Sequence, residues 1–158
     1  MEMLMGMSTV ESDREAARRL AEESDADPND AELALQAALT LDKVSREATA
    51  VDYYERAIDL GLVEKNELLA TACLVSSFRN LHRYDAALAR LDIAAARWPQ
   101  HVALESLRAL VLLDSGEPDR AMYTLGQVLI AVTEGELDET YTALLRSKFR
   151  GLLHKRRG

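Results

Sequence analysis

Four alanines, Ala16, Ala50, Ala87 and Ala121, each followed by further apolar or small residues, recur at separations of 34, 37 and 34 residues. A period of this length is one supersecondary unit, and a unit that small cannot bury its apolar face alone, so copies of it must stack. The three extra residues of the middle interval fall around Gly61 to Asn66, between two helical patterns. Punctuation keeps the same phase. Asp27, Pro28, Asn29 and Asp30 end one helix and cap the next, because proline halts the first and an Asn or Asp oxygen accepts the free N–H groups of the second. Trp98, Pro99 and Gln100 repeat the device further on. Ser45 is expected to cap a helix carrying Tyr53, Tyr54, Ala57 and Ile58, Gly61 to close it in the left-handed conformation, and Gly116 to mark a turn inside the last helix pair.

Composition agrees with helix throughout. Three prolines and seven glycines in 158 residues leave few breakers, and β-branched runs of strand type are scarce. With 48% hydrophobic and 29% charged residues the chain can fold, and its length suits one domain. A net charge of −8 repels phosphate on average, so neither nucleic acid nor an anionic membrane is the expected partner. The charge is uneven: acids dominate from Glu2 to Asp30, whereas Arg146, Lys148, Arg150, Lys155, Arg156 and Arg157 meet no acid after Glu139. One cysteine, Cys73, excludes an intramolecular disulfide, and the first ten residues lack the basic start and apolar core of a signal peptide. No apolar run is long enough to span a membrane. A cytoplasmic location is the expectation.

The run Leu74, Val75, Phe78, Tyr84, Ala87, Leu91, Ala94 and Pro99 fills the apolar, aromatic, small and proline slots of a helix, turn, helix unit, and here the chain resembles the tetratricopeptide repeat family. Ser76, Ser77, Phe78, Arg79, Asn80 and Leu81, leading into Arg83, Tyr84 and Asp85, resemble in particular the bacterial group 5 of that family. The resemblance implies an all-α fold, helix pairs stacked as a short right-handed α-solenoid with a C-terminal capping helix. On that phasing 1–8 is a flexible start, and 9–154 is a single domain. It comprises a leading half repeat at 9–24, repeats at about 31–66, 68–101 and 102–134, and a cap at about 138–154, before a basic tail at 155–158. Ala50, Ala87 and Ala121 would let paired helices approach, with Tyr54, Leu91 and Leu125 filling the space one turn later. Glu105 and Arg108 depart from the pattern, standing where the motif wants apolar side chains. In the cap, Tyr141, Leu144, Leu145, Phe149 and Leu152 make one apolar stripe.

Catalytic chemistry has no foothold in the pattern. His82, His101 and His154 lie far apart without metal-ligand spacing, and Cys73 sits mid-helix as a small hydrophobe would. No phosphate loop, serine elbow or zinc helix motif occurs, so no catalytic, cofactor or metal residue is assigned. What the resemblance implies instead is a groove lined by the first helix of each pair. Its slots here are Glu32, Leu35, Leu39, Asp42 and Lys43, then Leu69, Ala72, Ser76, Arg79 and Asn80, then Ala103, Ser106, Leu110, Leu113 and Asp114. Apolar Leu35, Leu39 and Ala72 stand where the family's carboxylate clamps need polar groups. The expected function is a scaffold or adaptor holding a peptide or helical segment of a partner protein, with Arg79, Asn80, Ser76, Ala72, Leu69, Leu39, Leu35 and Lys43 as the partner-binding set. A self-associating structural protein using Tyr53, Trp98 or the last helix is the alternative, and an unrecognised enzyme a remote one.

Overall fold

The computed structural model describes residues 2–154, with side chains from Thr9 onward. Among these residues the chain is all α-helical, in the order α1 (Glu2–Ala26), α2 (Ala31–Lys43), α3 (Glu47–Leu60), α4 (Glu64–Asn80), α5 (Tyr84–Arg97), α6 (Val102–Asp114), α7 (Pro118–Val132) and α8 (Glu139–Leu152). They fall into two compact units, Met1–Arg83 with α1 to α4 and Tyr84–Gly158 with α5 to α8. The repeat expected over 68–101 is therefore shared, α4 belonging to one unit and α5 to the other. The first helix starts at Glu2, where sequence alone started it at residue 9; no proline precedes Ala26, and Gly6 is a tolerated interruption. The side chains of the expected flexible start and the basic tail at 155–158 lie outside the described residues.

Three turns share one closure. Ser45, His82 and Gly116 follow α2, α4 and α6 with φ of 59°, 57° and 84°. The next N–H reaches back five residues in each: Arg46 to the Leu41 carbonyl, Arg83 to Phe78 and Glu117 to Leu112, at 2.8–2.9 Å. This is a Schellman closure, which satisfies carbonyls left free at a helix end and needs a left-handed residue. Ser45 thus ends α2, correcting its expected role as the cap of α3; the residue at that cap is Arg46, without a side-chain bond. Asp30 does cap α2, its Oδ1 accepting from the Leu33 N–H at 2.9 Å, and Gly61 closes α3 with φ 94°.

In the first unit α1 packs on α2, α2 on both α3 and α4, and α3 on α4. Small residues make this closeness possible: Ala34, Ala37 and Ala38 on α2, Ala50 and Ala57 on α3 and Ala70 on α4 are fully buried, and Tyr54, Leu74 and Val75 fill between them. The buried alanine of α1 is Ala17, not the expected Ala16, which is half-buried; α1 precedes the first full pair and its phase slips by one residue. Polar bonds stitch its end to α3, where the Tyr53 hydroxyl donates to Asp25 at 3.0 Å and Arg56 pairs with Asp25 at 3.1 Å while lying over the Tyr53 ring. Tyr53 is consequently buried, which removes it from the surfaces offered for self-association.

In the second unit α5 packs on α6, α6 on α7 and α7 on α8. Ala87, Leu91, Ala94, Leu104, Val111, Leu112 and Ala121 are its core. Glu105 and Arg108, the polar residues at apolar slots, are half-buried but satisfied: Arg108 reaches Asp92 of α5 at 2.7 Å and Glu105 at 3.3 Å. Leu125 does not fill the space assigned to it and is exposed. The place is taken at Gly126, where an added Cβ would stand 2.5 Å from the Phe149 ring, so only glycine admits α8 this closely. Helix α8 contains no buried residue. Its start is capped by Asp138, whose Oδ1 accepts from the Thr140 N–H at 2.8 Å, and that bond holds the carboxyl below its usual range.

Candidate partner-binding site

Helix α4 runs without proline or internal glycine, and positions three, four and three apart on it share a side. Leu69, Ala72, Ser76 and Arg79 therefore form one row, with Asn80 exposed at its end. Leu69 begins the row with 46% of its surface open, while Ala72, Ser76 and Arg79 are half-buried. Beside α4 lies α2, joined to it by Asn66, whose amide donates to both Glu32 oxygens at 2.9 and 3.0 Å. Leu39 of α2 is half-buried and continues the apolar surface.

Two members of the expected set are placed differently. Leu35 is only 3% exposed, a core residue between helices, and offers a partner almost no surface. Lys43 is exposed but turns to α1, pairing with Asp13 at 2.9 Å; an exposed pair of this kind holds its partner weakly. The surface that remains is Leu39, Leu69, Ala72 and Ser76 with Arg79 and Asn80.

Beneath it sits a polar cluster that sequence patterning did not reveal. The Tyr54 hydroxyl, on a fully buried side chain, donates to Asp42 at 3.0 Å; Ser77 lies 3.5 Å from the same carboxylate and donates to the Cys73 carbonyl at 3.0 Å. Asp42 is also one of the groove slots that the resemblance implies. It is a half-buried anchor for α3 and α4, and burial raises its carboxyl above the ordinary 3.8, against the opposing hydrogen bond from Tyr54. Burial also pushes up the Tyr54 hydroxyl and the Cys73 thiol, so both stay protonated at neutral pH. The sequence signal for this cluster is only Asp42 beside the buried Leu41 near the end of α2, and nothing local pairs it with Tyr54 or Ser77.

An all-α chain whose helix pairs repeat one turn closure and one small-residue packing scheme belongs to the class of helical repeat proteins. A family model described as Tetratrico peptide repeat, that of group 5, matches residues 14–138, and the chain belongs to the tetratricopeptide repeat family. The solved structure of MamA, 41 to its end, from Desulfovibrio magneticus RS-1 is similar over 93% of this chain and 89% of its own, with a TM-score of 0.58 and 19% identity. A MamA RS-1 ArsTM double mutant is similar over 97% and 92%, with a TM-score of 0.59 and 19% identity. At this identity the likeness shows the fold alone. The search of curated proteins gives no match. Among the described residues, no helix is long and apolar enough to cross a membrane.

Proposed function

We propose that the chain is a protein-interaction scaffold that holds a peptide or helical segment of a partner protein against the α2–α4 face of its first unit. The family is one of protein-binding scaffolds, generally non-enzymatic, which supports an adaptor over a catalyst. The observation that carries the proposal is the row on α4: an open apolar side chain, Leu69, at one end, and Arg79 with Asn80 at the other. Leu69, Ala72 and Leu39 supply desolvated contact, while Arg79 and Asn80 orient the segment through charged and amide hydrogen bonds to its carboxylates or backbone. A single cysteine and the acidic balance suit the cytoplasm and a protein partner without nucleic acid.

Affinity capture from native cell extract tests this. Changing Arg79 and Asn80 together to alanine should leave helicity intact and weaken capture by about 1.5–3 kcal/mol, roughly ten- to a hundredfold. Alanine at Asp52 and Arg90, on α3 and α5, should leave capture unchanged. Equal loss from both pairs, or loss only from the second, would move the binding surface off the α4 row.

A further inference from the structure

Helix α7 carries a second apolar row, on the other unit and independent of the α4 face. Met122, Leu125, Leu129 and Val132 stand three, four and three residues apart, the seam spacing of paired helices, and each is 46–52% exposed. Their side of α7 is defined by its neighbours. Gly126 faces Phe149 of α8, and Gln127 and Ala131, to one side of that line, share with Arg146 of α8 a cleft of about 460 Å³. The exposed row lies to the opposite side of Gly126. On α8, Tyr141 and Leu144 lie across the Phe149 line from Arg146, so they border the same outer edge as the α7 row. Leu137, in the connection between the two helices, is exposed as well.

We propose that this edge of α7 and α8 is a docking surface for a second copy of the chain, met antiparallel about a twofold axis. Two observations favour that occupant. The spacing is self-complementary: read backwards, three, four and three is the same pattern, so Leu125 of one copy meets Leu129 of the other and Met122 meets Val132. The area is of the right order. Six large side chains, each 46–63% open, leave several hundred Å² of mainly apolar surface, the order of the apolar centre of a stable interface that buries about 800 Å² per partner with a polar rim.

Light scattering after size exclusion, over a wide concentration range, is the first test. The chain should be a dimer that dissociates on dilution, and Leu125→Lys with Leu129→Lys should weaken the dimer by about thirtyfold or more without loss of helicity, because both side chains are already half open. A monomer at every concentration, or an unaffected dimer in the double variant, overturns the proposal; a monomer would leave the edge to another polypeptide. Register is tested in a Cys73→Ser background. Mixed Leu125→Cys and Leu129→Cys chains should form disulfide-linked dimers faster than either variant alone, and equal rates would overturn the antiparallel pairing.

Discussion

The two units solve the same packing problem with unequal completeness. Among the described residues, twelve of the sixteen exposed large apolar side chains belong to the second unit and only four to the first. The first unit buries a polar cluster, Asp42, Tyr54 and Ser77, under a tight alanine seam; the second closes on a helix, α8, with no buried residue. A repeat is defined by its small packing positions, and those are present in both units. What differs is how much of each remaining face is covered by the next helix, and that marks the second unit as the one with unsatisfied apolar surface.

The sharpest way to break this contrast is a pair of equal truncations. Leu74→Ala, at a fully buried position of α4, should destabilise the protein by about 2–5 kcal/mol through transfer and cavity terms. Leu110→Ala, at an exposed position of α6, should change stability by less than about 0.5 kcal/mol in urea unfolding. Comparable costs at both sites would mean that Leu110 is packed as deeply as Leu74.

Next in size is the buried cluster. Asp42→Ala strands the Tyr54 hydroxyl in the core and should cost about 1–3 kcal/mol, whereas Asp42→Asn keeps an acceptor and should stay within about 1 kcal/mol of the parent. Acidity separates the units further. Because the Asp42 carboxyl is raised, its contribution favours the fold as pH falls toward 3.8 and is lost as pH rises through the raised value. Asp138 has the opposite sign: its carboxyl is lowered, so its hold on the start of α8 is present at neutral pH and is lost as pH falls through that lowered value. Hydrogen exchange on acidification should therefore loosen the first turn of α8 before it loosens α2 to α4, and simultaneous loosening would contradict these assignments.

The smallest expected effect probes the α7–α8 contact. Gly126→Ala forces the Phe149 ring to shift, which overpacking puts at about 1–3 kcal/mol, less up to about 1 kcal/mol that alanine gains over glycine in a helix. A net loss of about 1 kcal/mol is expected, and it should shrink when Phe149 is also changed to Leu, since the smaller side chain relieves the clash. An additive double variant would show that Gly126 does not set this approach.

Much of the architecture is legible in the sequence. The 34-residue spacing of buried Ala87 and Ala121, the cap at Asp30, the turn at Gly116 and the last helix beginning just after Asp138 are local facts, written in backbone preferences and in the small size of the packing residues. The resemblance to the family pointed to the α4 residues Leu69, Ala72, Ser76 and Arg79, which helix geometry then sets on one side. What lay beyond it is relational. That Leu35 is core while Leu69 is open, that Lys43 turns to Asp13, that Ser45 ends one helix and does not start the next, and that Leu125 is left outside while Gly126 receives Phe149 all depend on which neighbour covers which face. Sequence determined that this chain forms stacked helix pairs, since periodicity and capping act over a few residues. Only the tertiary structure decided which apolar positions are buried, because burial is set by packing against helices that adjacent sequence does not specify.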